Sequence, residues 1–286
     1  MRGGRGVHSG RAAIPDDEIW RAHLAQKARL ISLARELCLA QFARHGRSPD
    51  ELRAIDKRLE PETLLIGFAR RFATYKRADL LLRDMEQMKA MAGDADRPVQ
   101  FLFAGKAHPA DRPGQDLIRN IFHASNDPDL NGHLLFLENY DIRVGRGMVQ
   151  GVDVWLNNPK RPLEASGTSG MKVALNGGLN CSVLDGWWCE GYDASHGWVI
   201  GEASSGDEDQ QDHEDAESLY RLLREEIAPC YYGRDENGLP VEWIQRMKRA
   251  IGMLSPRFST SRMVREYTEQ FYNVHSEGQP ATPAEP

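Results

Sequence analysis

The strongest constraint on the fold of this chain is an alternation of short apolar runs with segments of helical spacing. Five apolar runs of strand length occur in the middle of the sequence, at residues 64–69, 99–105, 133–138, 152–158 and 179–185. Strands that alternate with helices predict βαβ units, and therefore a parallel sheet covered on both faces. The predicted fold class is α/β, a doubly wound, Rossmann-like parallel sheet with flanking helices. Such sheets bind ligands beyond the carboxyl ends of their strands.

The segments around these strands carry patterns of their own. Residues 16–45 form one long amphipathic helix, with Asp16 or Asp17 as its cap. The run SSGDEDQQDHED, residues 204–215, predicts a solvated acidic loop. Further helices are expected at 75–91, 216–229 and 241–273, the last of them broken at Pro256. We expect residues 1–15 and 275–286 to be disordered and residues 16–274 to form one domain.

Composition and charge exclude several classes of protein. The formal charge of −6 argues against a nucleic-acid binder, which carries a basic excess. No apolar run of about 18 residues occurs, so we expect no membrane-spanning helix. The four cysteines lack CxxC spacing and the nine histidines lack a metal-binding pair, so we expect no disulfide and no metal site. A reducing cytoplasm fits this use of cysteine.

A loop of small residues, EASGTSGMKVALNG, follows the fourth predicted strand. Gly167, Thr168, Ser169 and Gly170 place accessible backbone N–H groups at a helix start, which is a ready site for an anion. A tight turn with hydroxyl caps explains the same residues equally well. Lys172, eight residues after Glu164, adds a second signal, since a lysine buried in an apolar pocket is a good nucleophile toward carbonyls. A lysine facing solvent on the helix is the alternative.

A basic run, RRFATYKR, follows the first predicted strand. Arg70, Arg71, Lys76 and Arg77 put four cations within eight residues, and sheet topology directs the first two at the ligand cleft. A solvated basic face is the plainer explanation of such a run. Lys106, in FAGKAHP, and Tyr140, in LENYDIRV, follow other strands and are weaker candidates for contact with a ligand in the cleft.

Together these motifs closely resemble the catalytic half of the glycogen/α-glucan phosphorylases, from about residue 17 to residue 272. The continuation LNCSVLDGWWCEGY is similar to the bacterial and archaeal branch of that family. The resemblance implies the C-terminal domain of a GT-B fold, with pyridoxal 5′-phosphate held as a Schiff base on Lys172. It also implies phosphorolysis of terminal α-1,4-glucosidic bonds of an α-glucan by inorganic phosphate, giving α-glucose 1-phosphate.

The resemblance further implies roles for individual residues. Arg71 and Lys76 fall where the family binds the substrate phosphate, so that with Lys172 they form the expected catalytic set. Arg70, Thr168, Ser169 and Tyr140 match cofactor contacts, while Tyr75, Glu164, Ser166 and Gly167 match contacts to sugar hydroxyls. Two positions depart from the family pattern: Arg70 stands where a lysine is usual, and Ser169 where many relatives have glycine.

Three further expectations follow from the resemblance. Family members carry another domain upstream that completes the sugar site, so this chain alone is expected to be poorly active. The chain is therefore expected to be a fragment of a longer protein, the product of a split gene whose other half is on another chain, or a remnant that no longer turns over substrate. A homo-oligomer is a further expected assembly. Two alternatives remain: a GT-B sugar-nucleotide glycosyltransferase without pyridoxal phosphate, and a non-catalytic glucan-binding module. Lys172 argues against the former, since such transferases carry a glutamate at this position, and glutamate cannot form an imine.

Overall fold

The computed structural model describes residues 14–201 and 207–272. Most of the predicted disordered segment 1–15, and all of 275–286, lie outside the described residues. The strands are β1 Leu64–Phe72, β2 Val99–Ala107, β3 Leu134–Leu137, β4 Val154–Asn157, β5 Leu179–Val183 and β6 Gly197–Ile200. The α-helices are α1 Asp16–Arg44, α2 Pro49–Arg53, α3 Met85–Ala92, α4 Arg112–Ala124, α5 Ile142–Gly151, α6 Ser169–Leu175, α7 Trp188–Gly191, α8 Glu208–Leu222, α9 Ala228–Tyr232, α10 Val241–Arg257 and α11 Thr260–Tyr267. Short 3₁₀ turns lie at Ala54–Lys57, Thr74–Lys76, Leu80–Leu82 and Pro128–Leu130, and π-helical turns at Leu223–Ile227 and Thr268–Tyr272.

The sheet confirms the predicted fold class. Its strands are all parallel and run in the order β3-β2-β1-β4-β5-β6. The chain starts in the middle, builds outward to β3, and then returns to build the other half from β4. The order therefore reverses between β1 and β4, which is where doubly wound sheets bind ligands. Strand β6, at the edge of the sheet, is not among the predicted strands.

Both faces of the sheet are buried, as the continuous apolar strands require. One core contains Ile66 and Phe68 of β1 and Trp243 of α10. The other contains Leu65 of β1, Trp155 of β4 and residues of α1 and α5. Successive residues of a strand face opposite sides, so β1 contributes to both cores. This double burial fixes the carboxyl ends of β1 and β4 side by side.

The long first helix forms as predicted, but the predicted cap is wrong. Pro15 occupies the N-cap position, and neither Asp16 nor Asp17 caps the helix with its side chain. Asp16 instead forms an ion pair with Lys248 of α10 and accepts a hydrogen bond from Gln245. Both acids lie in the first turn, where negative charge interacts favourably with the helix dipole.

The acidic loop predicted at 204–215 is wrong over the residues that the structure describes there. Residues 208–215 form the first half of α8, and residues 202–206 lie outside the described part of the chain. Asp212 and Asp215 are buried, on the same face as the apolar Ala216, Leu219 and Tyr220. The prediction failed because the apolar stripe of this helix begins with carboxylates that are buried in ion pairs.

Two other predicted helices are shorter or interrupted. Between 75 and 91 the chain makes two 3₁₀ turns, and α3 starts only after Asp84, which caps it. The last predicted helix is interrupted just beyond Pro256, which lies inside α10, and Ser259 caps the next helix. Within the described ranges, no helix combines the length and the apolar character needed to cross a membrane.

Candidate active site

The predicted site residues come mostly from the loops that follow β1 and β4, the two strands at which the sheet order reverses. Arg70 and Arg71 are near the end of β1, which runs three residues further than predicted, and Tyr75 and Lys76 follow in a 3₁₀ turn. The loop from Glu164 to Thr168 lies between β4 and α6, and Ser169 and Lys172 belong to α6. Parallel strands thus deliver both groups to one edge of the sheet.

Glu164 is the centre of a buried ion-pair cluster. Its Oε2 atom lies 2.5 Å from Nη2 of Arg70 and 2.7 Å from Nζ of Lys76. Burial raises the pKa of this carboxyl, but the hydrogen bond from Lys76 and the charge of Arg70 outweigh it, so the pKa of Glu164 is lowered. The cluster therefore contains two cations and one carboxylate, which leaves a net positive charge.

Tyr75 and Arg71 lie at the edge of this cluster. The Nζ atom of Lys76 is 4.6 Å from the centre of the Tyr75 ring, a cation–π contact. Burial raises the pKa of the Tyr75 hydroxyl, but hydrogen bonds from Lys76 and Arg71 outweigh it and the pKa is lowered. Arg71 is exposed while Arg70 is buried, because adjacent strand residues face opposite sides of the sheet.

Arg71 has a second cation beside it. The register of β1 and β2 pairs Arg71 with Lys106, and both side chains are exposed. Residues paired on neighbouring strands extend on the same face, so the two charges repel each other. In the described part of the chain no carboxylate pairs with either of them. An anion bound at this edge would relieve the repulsion.

The loop that carries Glu164 is held in place by the end of β5. The backbone N–H of Glu164 donates to Asp185 Oδ2 at 2.9 Å, and the N–H of Trp187 donates to the Ser166 carbonyl at 2.9 Å. A Cβ atom on Gly186 would lie 2.5 Å from that carbonyl oxygen, so only glycine fits. The sequence analysis missed Asp185 and Gly186, although a DG pair directly after a strand is a turn signal.

The small residues of the loop lie against the cluster. A Cβ atom on Gly167, whose φ is +81°, would be 3.7 Å from Arg70 Nη2. Thr168 is the N-cap residue of α6 but makes no side-chain cap, and neither its hydroxyl nor that of Ser169 hydrogen-bonds within the described residues. The interpretation of these residues as hydroxyl caps is therefore wrong for Thr168. Both hydroxyls are free to bind a ligand.

Lys172 is exposed, and the expectation of a buried lysine is wrong for the chain as described here. Its neighbours Val173 and Ala174 are buried against the sheet, so Lys172 lies on the outer side of α6. In the ranges 14–201 and 207–272, its amine makes no hydrogen bond and no ion pair. The reason for the exposure is that no described element covers this side of the short helix.

Arg70 carries an unsatisfied donor. Its side chain is 6% exposed, yet Nη1 has no hydrogen-bond partner among the described residues. A buried donor without a partner costs about 1–3 kcal/mol. Buried polar groups are nearly always paired, so Nη1 is available to an acceptor from outside the described residues, such as water or a bound anion.

Tyr140 and Arg77 do not join the cluster. Tyr140 is half-buried beside α5, where a Cβ atom on Gly145 would lie 2.8 Å from its hydroxyl, and burial raises its pKa. No hydrogen bond links it to Glu164 in the described part of the chain. Arg77, the fourth cation of the basic run, pairs with Asp212 and Asp215 of α8 and not with Glu164. The sequence analysis missed both of these carboxylates.

Comparisons with known proteins bear on the identity of this site. The family model described as carbohydrate phosphorylase matches residues 51–194, which include both loops. The glycogen phosphorylase of Aquifex aeolicus is 45% identical over 260 residues, covering 91% of this chain and 37% of the relative. The maltodextrin phosphorylase of Thermococcus litoralis is 49% identical over 269 residues, covering 94% of this chain and 31% of the relative.

A glycogen phosphorylase of Mycobacterium tuberculosis is 42% identical over 255 residues, again covering most of this chain, 89%, but only 30% of the relative. The chain thus spans about a third of the length of the curated relatives that it matches. The family match covers strands β1 to β5, the cluster around Glu164 and the loop to Lys172, which contain the motifs on which the sequence resemblance rests. This chain belongs to the carbohydrate phosphorylase family.

Proposed function

We propose that this chain forms the phosphate- and cofactor-binding part of an α-glucan phosphorylase. The reaction is the cleavage of a terminal α-1,4-glucosidic bond by inorganic phosphate, which yields α-glucose 1-phosphate. The observation that carries the proposal is the set of unsatisfied groups around Glu164. Among the described residues, Nη1 of the buried Arg70 has no acceptor, and the hydroxyls of Thr168 and Ser169 make no hydrogen bond. Two exposed cations lie on adjacent strands, and the amine of Lys172 has no partner in the same part of the chain.

These residues fit pyridoxal 5′-phosphate. Lys172 would hold the aldehyde carbon through its unpaired amine, and Arg70 Nη1 with the hydroxyls of Thr168 and Ser169 would bind the cofactor phosphate. Tyr140 is a further proposed contact. When bound, the cofactor supplies a phosphate group that exchanges a proton with the substrate phosphate.

Arg71 and Lys76 would bind the substrate phosphate. Two phosphates about 5 Å apart repel by roughly 3 kcal/mol per pair of unit charges at an effective dielectric constant near 20. The net positive charge of the cluster, with Arg71 and Lys106 beside it, offsets this repulsion and stabilises charge that develops between the phosphates. Catalysis in this chain would consist of positioning and electrostatic stabilisation.

Glu164 and Tyr75, with the backbone of Ser166 and Gly167, would bind sugar hydroxyls. The lowered pKa of Glu164 keeps it ionised at neutral pH, so its carboxylate can only accept hydrogen bonds. Its second oxygen, Oε1, takes part in neither ion pair. That atom is therefore free to accept from a hydroxyl of the glucan.

We propose in addition that other protein covers Lys172, whether from the same polypeptide or from another chain. The exposure of this amine supports that proposal, since solvent would compete for an aldehyde bound there. The unmatched length of the relatives is the obvious source of such a segment. A cytoplasmic location and a homo-oligomer stay predictions.

The cofactor assignment can be tested directly on this chain. The protein is incubated with pyridoxal phosphate, reduced with borohydride, digested, and analysed by mass spectrometry for a modified peptide. We expect one reduced adduct, on Lys172, and its loss in Lys172→Ala. Lys57→Ala is the matched control, because Lys57 is also exposed and has no ion-pair partner among the described residues.

Other outcomes favour other functions. Adducts spread over several surface lysines would contradict the cofactor assignment. A chain that takes up no pyridoxal phosphate but binds maltodextrin would support a non-catalytic glucan-binding module. Binding of a sugar nucleotide without the adduct would support the glycosyltransferase alternative.

A further inference from the structure

Arg77 lies directly after Lys76 and is almost fully buried. Its φ of +46° places it in the left-handed region, which a non-glycine residue adopts only under restraint from its surroundings. The Nη1 atom lies 2.8 Å from Asp212 Oδ1 and the Nη2 atom 2.7 Å from Asp215 Oδ2. Two carboxylates from a distant helix therefore hold the guanidinium that follows the proposed phosphate-binding lysine.

The same guanidinium joins the loop after β1 to the loop after β4. Nε of Arg77 donates to the Asn158 carbonyl at 2.8 Å, and the Asn158 side-chain amide donates back to the Arg77 carbonyl at 2.6 Å. The backbone N–H of Lys160 donates to the Tyr75 carbonyl at 2.7 Å. These bonds bracket Lys76, so they fix the direction in which its side chain leaves the backbone.

Asp215 is the most constrained member of the network. Its side chain has no exposure, and its Oδ1 atom accepts from Arg161 Nη2 at 2.9 Å while Oδ2 accepts from Arg77. A Cβ atom on Gly201 would lie 1.7 Å from Oδ1, so the backbone of Gly201 encloses the carboxylate. Asp215 thus connects α8 to both loops, through Arg77 to one and through Arg161 to the other.

We propose that Asp215 is a positioning residue for the phosphate-binding loop, acting through Arg77 on Lys76 and Tyr75. The basic motif RRFATYKR does not include this residue, which lies 138 positions from Arg77. The effect expected on phosphate binding rests on the proposed function. The effect expected on Tyr75 rests on the geometry of the loop and needs no ligand. Through Asp215, α8 would set the affinity of the loop for the substrate phosphate without contacting the phosphate.

The test compares Asp215→Asn with Asp209→Asn in the full chain loaded with pyridoxal phosphate. Both changes remove one carboxylate from α8, but Asp209 is 97% exposed. Calorimetric titration with inorganic phosphate should show about tenfold weaker binding for Asp215→Asn and none of this loss for Asp209→Asn. Uptake of the cofactor on Lys172 should stay unchanged in both, which a general loss of folding would not allow.

A double-mutant cycle identifies the route. If Asp215 acts through Lys76, then Asp215→Asn should have no further effect on phosphate binding once Lys76→Ala is present. Additive effects of the two changes would overturn the proposal. Should Asp215→Asn fail to fold, Asp212→Asn replaces it in the cycle, since Asp212 binds the same guanidinium and its side chain is 12% exposed, compared with 0% for Asp215.

The tyrosine readout needs no ligand. The lowered pKa of Tyr75 depends on Lys76 and Arg71, so Asp215→Asn should raise it toward 10.0 in an NMR titration of labelled tyrosine, assigned with Tyr75→Phe. An unchanged Tyr75 pKa together with unchanged phosphate affinity would overturn the proposal. If the parent chain binds no phosphate but Asp215→Asn still shifts the pKa of Tyr75, the proposed function is contradicted and the positioning role of Asp215 is supported.

Discussion

Two lysine–carboxylate clusters lie at opposite ends of β4, and they differ in how fully their atoms are paired. At the amino end, Lys27 donates to Asp153 Oδ2 at 2.5 Å, to the Thr63 carbonyl at 2.6 Å and to the Tyr231 hydroxyl at 2.8 Å. These three bonds use all the donors of the ammonium group. At the carboxyl end, the cluster around Glu164 has a buried arginine nitrogen with no partner and exposed cations beside it.

The pKa values of the amino-end cluster fit a structural role. Burial raises the pKa of Asp153, but the charge of Lys27 and the hydrogen bond from His23 outweigh it, so the pKa is lowered. Burial lowers the pKa of Lys27 by more than Asp153 raises it. The side chains of Lys27 and Asp153 are both fully buried. Each cluster keeps one buried nitrogen without a partner among the described residues, His23 Nδ1 at the amino end and Arg70 Nη1 at the carboxyl end. The clusters differ in the fully paired ammonium group of Lys27 and in the exposed cations beside the Glu164 cluster.

Removing the lysine of the amino-end cluster should have the largest effect on stability. Lys27→Met leaves Asp153 buried without its counter-ion, which is expected to lower the free energy of unfolding by about 3–5 kcal/mol. Urea unfolding followed by circular dichroism measures the change, and Lys57→Met serves as the exposed control. A loss no larger than that of the control would show that the amino-end cluster does not carry the fold.

In the cluster around Glu164, neutralising the carboxylate should strengthen the binding of phosphate. Glu164→Gln removes the negative charge that competes for Arg70 and Lys76, so we expect phosphate to bind about tenfold more tightly, or about 1.4 kcal/mol. Calorimetric titration measures this affinity. Glu60→Gln is the control, since Glu60 is exposed and forms no ion pair in the described part of the chain. Weaker binding in Glu164→Gln would mean that Glu164 organises the cations and does not compete with the anion.

Acid should reduce the difference in stability between the parent chain and Glu164→Gln, and this is the smaller effect. Because the pKa of Glu164 is lowered on folding, its ion pairs contribute stability above the ordinary value of 4.5, and this contribution is lost as the pH falls through the lowered value. The stability difference between the parent chain and Glu164→Gln should therefore narrow below pH 4.5. Urea unfolding at a series of pH values checks this expectation. A stability difference that widens in acid would contradict the lowered pKa of Glu164.

Local signals in the sequence predicted the sheet and one side of the site. The five strands given by apolar runs such as 64–69 and 99–105 are present, because burial on both faces leaves a dense apolar pattern. Glu164 and Lys76 meet because both follow strands that end at the same edge. The fold topology alone was enough to bring these two residues together.

The rest of the site depends on pairings between distant parts of the chain. Asp212 and Asp215 look like members of a solvated acidic run until Arg77, from the other half of the sheet, is placed beside them. Asp185 accepts from the backbone of Glu164, a partner 21 residues away that the DG turn signal does not identify. The exposure of Lys172 depends on which elements cover α6, and periodicity within the helix does not contain that information.

The neighbouring cations at the ends of β1 and β2 have a practical consequence for anyone who handles this protein. Arg71 and Lys106 are paired in register on adjacent strands, so we expect sulfate or phosphate from a buffer to bind there and to stabilise the folded state by mass action. The melting temperature should then rise with the concentration of such anions more steeply than with chloride. Melting temperatures measured in different buffers would then differ because different fractions of the protein hold an anion at this position.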